Sequence, residues 1–442
     1  MRFEGRVSAG IELLETLLSE ASPPDRLLTA YFKRRRYAGA KDRRAVADRF
    51  YVMLRNRGIL QWQAAEGGLE VNARSMMLVH LHCTERLSIE DMAALCSGEG
   101  FAPAPLTAAE RQSLQRTADE AAQQPPGWAV GNYRAALEEP LRRRFGDDLT
   151  AELAGLNKRA PVDVRVNTLK STRDDAATAL AAAGLSVTPT PMAPAGLRLP
   201  PESRVTDHAL FKDGSLEIQD EGSQLAARLV APPPAGQVVD LCAGAGGKAL
   251  ALSAMMEDRG QIHAFDIDAR RLEELNRRRR RADARNIQSR AIAGVDDRHL
   301  AALRGGADRV LVDAPCTGTG TWRRHPELRF SAAVPALDEL IGQQDGLLET
   351  AADLVKPGGR LIYVTCSVLI EENEDRIDAL LARRPDFAIQ PYEAIWPNIA
   401  DQHPPGPGPF LRLTPARHGT DGFFAAILNR GPADTATVSD ES

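Results

Sequence analysis

No uncharged apolar run in the 442 residues approaches the roughly eighteen that a membrane-spanning helix needs, so no membrane partner is expected. The opening Met1-Arg2-Phe3-Glu4 is not followed by the apolar core of a secretory signal, and a cytoplasmic location is expected. Cysteine is scarce: Cys83, Cys96, Cys242, Cys316 and Cys366 are widely scattered, and no Cys-x-x-Cys pair occurs. That argues against a disulfide framework and against a zinc cluster, and no metal is expected. Net charge is small, -5, which at first sight disfavours a nucleic-acid partner. The mean hides a gradient. Residues 1–60 hold thirteen Lys/Arg against seven Asp/Glu, with Lys33-Arg34-Arg35-Arg36 followed by Lys41, Arg43 and Arg44, and a second run spans Arg277 to Arg281. Local basic patches, rather than global charge, bind phosphate backbones, although a lone run is more often a solvated helix face.

At roughly 150 residues per domain, this length suggests about three domains. Residues 1–125 read as all-helical. Ser8 can cap a segment whose Leu13, Leu14, Leu17 and Leu18 share one face, and Val46, Phe50 and Leu54 recur every four residues. Ser88-x-x-Asp91 and Thr107-x-x-Glu110 look like capping boxes. After the break at Gln123-Gln124-Pro125-Pro126-Gly127, residues 126–212 predict a linker helix and a small α+β module, signalled by the alternation Val162-Asp163-Val164-Arg165-Val166. From 213 to 431 apolar strands alternate with helices; the strands are Val238–Leu241, Ile262–Asp266, Arg309–Asp313 and Leu361–Thr365. Such alternation predicts an α/β, doubly wound, Rossmann-like sheet whose ligands sit outside the strands' carboxyl ends. The polar tail, 432–442, is expected to be disordered.

Cys242-Ala243-Gly244-Ala245-Gly246-Gly247-Lys248 follows the first of these strands and runs into a helix. Glycines allow a sharp turn and close approach of a ligand to the backbone, and Asp266, ending the next strand, can bond a ribose diol. The loop implies a nucleoside-containing ligand and leaves NAD(P) and S-adenosylmethionine both open. A phosphate-loop NTPase fits worse, because Lys248 is followed by Ala249 rather than Ser or Thr.

Two thiols, Cys316 after Asp313-Ala314-Pro315 and Cys366 after Thr365, stand at ligand-facing strand ends. One such Cys is commonly a small buried hydrophobe; two on one rim ask for a chemical reason. Methylation of a pyrimidine at C5 supplies one. A thiolate added at C6 gives C5 carbanion character, so C5 can take a methyl group from a sulfonium. Asp313 can hydrogen-bond the base's edge, and Lys248 or the Arg323-Arg324-His325 run can lower the thiol pKa. A base inside folded RNA must be unpaired or flipped to reach such a site, and the basic runs suit its phosphates.

Asp240-Leu241-Cys242-x-x-x-Gly246-Gly247-Lys248, Asp313-Ala314-Pro315-Cys316-Thr317-Gly318-Thr319-Gly320, His325-Pro326-Glu327 and Tyr363-Val364-Thr365-Cys366-Ser367 resemble the RNA 5-methylcytosine methyltransferases of the Sun/Nop2/Fmu (RsmB-like) family. Arg165-Val166-Asn167-Thr168-Leu169, Gln219-Asp220-Glu221-Gly222-Ser223-Gln224 and His418-Gly419-Thr420-Asp421-Gly422-Phe423-Phe424 look like that family too, so the resemblance covers about residues 155–430. The helical front is similar to the NusB-like, RNA-binding extension of the bacterial small-subunit members. The resemblance implies Cys366 as the nucleophile, Cys316 assisting product release, and an S-adenosylmethionine site lined by residues 242–248, Asp266 and Asp313. A further acid on the adenine side would be Asp296 or Asp297. Where the family commonly has Ala-Pro-Gly-Gly-Lys, this chain has Gly244-Ala245-Gly246-Gly247-Lys248, which should loosen the loop modestly. The expected substrate is ribosomal RNA, with transfer RNA the runner-up, and the expected state is a monomer.

Three other readings compete. An NAD(P)-dependent dehydrogenase leaves both strand-end cysteines unexplained. An amino-directed base methyltransferase would carry Asn/Asp-Pro-Pro-Tyr where this chain has Asp313-Ala314-Pro315-Cys316. A non-enzymatic RNA-binding assembly factor has no use for Cys366.

Overall fold

The computed structural model describes residues 1–20, 22–119, 124–400 and 402–432, so the tail from 433 onward lies outside the described residues. Two compact units result: Met1–Asn157 with His325–Val334, and Lys158–Arg324 with Pro335–Ser442. Among the described residues no helix is long and apolar enough to cross a membrane.

The first unit is helical. Its opening helices, Phe3–Ser19, Pro24–Arg34 and Ala40–Arg55, pack Val7, Leu13, Leu14, Val46, Phe50 and Leu54 into one core. The first helix starts at Phe3, with Arg2 in the cap position, and Ser8 lies inside it rather than capping it. The reason is that the buried face extends back to Val7, so the core contact holds the extra turn helical. Ser88 and Thr107 do cap: Ser88 Oγ accepts the Asp91 N–H at 3.0 Å, and Thr107 and Glu110 exchange hydrogen bonds at 2.8 and 3.1 Å. Residues 127–157 form short helices within this compact unit. So does His325–Val334, for a reason local sequence does not carry. Arg329 is fully buried and donates to the carbonyls of Gly131, Asn132 and Leu156 at 2.8–3.0 Å.

The second unit opens with a four-stranded antiparallel sheet: β1 (Val162–Val166), β2 (Thr188–Pro189), β3 (Gly196–Leu199) and β4 (Leu216–Ile218), in the order β2-β3-β1-β4. Val164, Val166, Leu197, Leu199 and Leu216 form its core with Leu180 of the helix Arg173–Ala182.

The large sheet follows. Its strands are β5 (Gln237–Asp240), β6 (Gln261–Asp266), β7 (Ile287–Ala291), β8 (Ala307–Asp313), β9 (Val355–Thr365), β10 (Phe387–Gln390), β11 (Leu411–Leu413) and β12 (Phe423–Arg430). The order is β10-β12-β9-β8-β5-β6-β7, with β11 beside β12; β5 to β9 pair in parallel, and β10 to β12 are antiparallel additions. Both faces are covered, which is why the central strands read as nearly unbroken apolar runs. Ile362 and Val364 enter the core on one face, Leu361 and Tyr363 the core on the other. The chain turns back at β5, flanked by β6 and β8, and this is the switch point at which open α/β sheets bind ligands. Asp240, Asp266, Asp313 and Thr365 all end strands on that rim.

Candidate active site

The turn after β5 is shaped by glycine. Gly244 and Gly246 have φ of +53° and +83°, and a Cβ on Gly246 would lie 2.6 Å from Leu275 Cγ. Conformation and space therefore both demand glycine at 246. Asp266, at the end of β6, braces the turn: its carboxylate accepts the Gly244 N–H at 2.7 Å and the Asp268 N–H at 2.8 Å. Arg278 braces it from the other side, donating to the Ala245 carbonyl at 2.7 Å while pairing with Glu217 at 2.8 Å. Three arginines of the basic run are thus paired with acids: Arg277 with Glu274, and Arg278 and Arg281 with Glu217.

Lys248 is nearly buried and bonds Asp313 at 2.6 Å. Beneath them Asp240 is fully buried, and its carboxyl is pushed up to about 7, chiefly by burial and then by the charge of Asp313, against the pull of Lys248. Burial and the same carboxylates drive the Cys242 thiol well above its ordinary value, so Cys242 is an unreactive wall of the turn. Three acids against one lysine give this rim a negative potential. It suits a nucleoside carrying a cationic sulfonium and opposes the pyrophosphate of NAD(P). Asp297 accepts the His299 N–H at 2.9 Å and the Ala293 N–H at 3.1 Å, whereas Asp296 is exposed.

The two thiols meet. β8 and β9 are neighbours, so the loops that leave them lie side by side, and the sulfurs of Cys316 and Cys366 are 3.4 Å apart. Both residues are half-buried. The hydrogen bond with Cys366, then burial, raises the Cys316 thiol well above its ordinary range, and either sulfur can be the donor in their contact. The cations expected to assist the thiols are committed elsewhere. Lys248 serves Asp313. Arg323 and Arg324 form a buried cluster with Asp220 and Asp421, in which Arg324 lies 2.8 and 2.7 Å from the two acids and Arg323 bonds both. His325 belongs to the helical unit, within 3.2 Å of Glu327.

Glu372 escaped the sequence reading. It is fully buried below the Cys316 loop and accepts the Thr317 N–H at 2.8 Å, the Thr317 hydroxyl at 2.6 Å and Gln344 at 3.1 Å. Gln344 also holds the Pro315 carbonyl at 2.9 Å. Asn373, next along, donates to the Ser367 carbonyl at 2.9 Å, so the two side chains fix both cysteine loops. The one available signal is an acid following the apolar Val368-Leu369-Ile370, where the chain is already committed to the core.

The sequence profile described as 16S rRNA methyltransferase RsmB/F matches residues 227–429, and that described as the RsmF/B-like ferredoxin-like domain matches 136–206. The ribosomal RNA small subunit methyltransferase B of Xylella fastidiosa (strain 9a5c) is 32% identical over 411 residues, 88% of this chain and 92% of that protein. The crystal structure of PH0851 superposes with a TM-score of 0.77 at 26% identity, covering 97% of this chain and 99% of that one. NSun6 from Pyrococcus horikoshii, crystallised with the S-adenosylmethionine analogue SFG, shares the fold at 20% identity and a TM-score of 0.60, over 68% of this chain and 99% of that one.

Proposed function

The chain belongs to the RsmB/F family of 16S rRNA methyltransferases, and from that premise we propose that it methylates C5 of a cytosine in ribosomal RNA through a transient bond between Cys366 and C6 of the base. What supports the reading most is the pair of sulfurs 3.4 Å apart on the rim that carries the glycine turn. S-adenosylmethionine, the family's cofactor, supplies an electrophilic methyl group. The glycine turn and Asp266 fit its nucleoside, because the two backbone bonds to Asp266 leave carboxylate lone pairs for a ribose diol. Asp296, which is exposed, or Asp297 would supply the acid on the adenine side.

Cys366, as thiolate, adds to C6, and the C5–C6 π electrons move to C5; C5 then takes the methyl group from the sulfonium, whose S–CH3 bond electrons leave with sulfur as a neutral thioether. Loss of the C5 proton to a base drives electrons back to re-form C5=C6, and the Cys366 sulfur leaves. Cys316 hydrogen-bonds that sulfur at both ends of the cycle: its S–H stabilises the attacking thiolate and stabilises it again as leaving group. Asp313, paired with Lys248 at 2.6 Å, accepts a hydrogen bond from the cytosine amino edge. Lys33, Arg34, Arg36, Lys41 and Arg44 of the helical unit are exposed and suit the phosphates of a strand whose target base has left its stack. Methyl transfer from labelled S-adenosylmethionine to 16S rRNA, followed by mapping of the modified atom, tests this function. Label on C5 of cytosine that Cys366→Ala abolishes, with cofactor affinity nearly unchanged, is expected. Label on an exocyclic nitrogen, or full turnover by Cys366→Ala, refutes it.

A further inference from the structure

The free edge of the large sheet carries a hollow that the proposed chemistry does not use. β7 ends the strand order, pairing with β6 on one side. Alternation turns Ser289 toward the helix Ala269–Arg281, where its hydroxyl bonds Asn276 at 3.0 Å, and turns Gln288 and Arg290 to the other face, in register with His263 and Phe265. Around this edge lies a cavity of about 640 Å³ whose titratable lining is Arg279, Arg285, Arg290, His263 and His299, with no carboxylate among its walls.

The lining of this hollow differs from the adjoining run of arginines. Three arginines of the adjoining run, Arg277, Arg278 and Arg281, are neutralised by Glu274 and Glu217. Arg279 and Arg290 instead turn to neutral acceptors, the Asn276 amide oxygen at 2.8 Å and a ring nitrogen of His299 at 2.9 Å. A guanidinium is always charged, so three of them in one concavity leave a local positive field on a protein of net charge -5. Charge on an edge strand also discourages pairing with other sheets, but either sign does that and no hollow is needed. A one-signed, arginine-lined concavity matches planar, bidentate recognition of phosphate oxygens.

We propose that this hollow is a phosphodiester subsite that seats the backbone of the RNA strand outside the methylated nucleotide. The inference rests on the RNA-methylating function proposed above. Arg285 and Arg290 are exposed and take no part in the cysteine or cofactor chemistry, so the full-length Arg285→Gln/Arg290→Gln protein isolates the hollow. Its affinity for a 16S rRNA transcript should fall about tenfold, and the slope of log Kd against log salt should fall by about 1.4, at about 0.7 per single-strand contact. Cofactor affinity and the rate at saturating RNA should be unchanged, and Arg285→Lys/Arg290→Lys should recover most of the slope. The control Arg383→Gln/Lys356→Gln removes equal charge from side chains already paired with Glu349 and Asp308, and should change Kd less than about twofold. An unchanged Kd and slope in the hollow variant, or an equal loss in the control, overturns the subsite while wild-type methylation stands. A wild type that neither binds nor methylates RNA overturns the function and the subsite together.

Discussion

Glu372 offers a way to separate the anchoring of the Cys316 loop from its chemistry. Its side chain takes three donors, and Glu372→Ala treats them unequally. The Gln344 amide keeps the Pro315 carbonyl at 2.9 Å, and the Thr317 hydroxyl can turn to Ser367 Oγ at 3.3 Å, but the Thr317 N–H loses its acceptor in the core. An orphaned buried donor costs about 1–3 kcal/mol, and the space left by the side chain adds about 1–2 kcal/mol. Relief of the buried carboxylate's desolvation offsets part of this, leaving a loss of about 2–4 kcal/mol. Glu372→Gln keeps an oxygen for the Thr317 N–H and an N–H₂ for the Thr317 hydroxyl, so it should cost about 1 kcal/mol. Urea denaturation of both variants reads these numbers. At saturating substrates the Ala variant should turn over about 10- to 100-fold more slowly, because a shift near 1 Å in a reacting group is enough for that. KM for S-adenosylmethionine should barely move. An Ala variant within about 1 kcal/mol of wild type at full kcat, or a Gln variant as damaged as Ala, would show that these hydrogen bonds do not hold the loop.

Asp240 predicts a pH dependence with a definite sign. Its folded pKa, about 7, lies above the ordinary value near 4, so the native state holds a proton that the unfolded chain releases between them. Stability of the cofactor-free protein should therefore fall by about 2–4 kcal/mol from pH 4 to pH 7 on this account and level off above. Asp240→Asn should remove that fall; the same slope in the variant would refute the assignment. Gly246→Ala meets Leu275 and a left-handed backbone together, and should lose about 1–3 kcal/mol and weaken cofactor binding, read by calorimetry. Unchanged affinity would remove the turn from the cofactor site.

The central strands and the rim were legible because both sheet faces are buried and each strand ends on an acid or precedes a cysteine. Ser88 and Thr107 were legible because a cap is a local bond. What escaped depends on distant partners. β7, Ile287-Gln288-Ser289-Arg290-Ala291, is an edge strand with exposed polar residues and lacks the apolar run of its neighbours. Arg278 and Arg281 read as RNA contacts until Glu217, some sixty positions earlier, is brought beside them. Lys248 read as a charge for the thiol until Asp313 takes it, and Arg329 draws its segment into the helical unit through bonds to carbonyls far back along the chain. The acid on the adenine side stays open between Asp296 and Asp297: Asp297 caps the helix Arg298–Ala301, but two backbone bonds leave it lone pairs, as they do Asp266.

The most direct measurement follows the proposed bond itself. Cys316→Ala, incubated with 16S rRNA and S-adenosylmethionine, should accumulate an RNA–protein complex that survives denaturing electrophoresis, since the leaving sulfur has lost its hydrogen-bond donor. Cys316→Ala/Cys366→Ala should form none. An adduct of equal yield in the double variant would contradict the assignment of Cys366, and methylation proceeding with no adduct in any variant would contradict a covalent route.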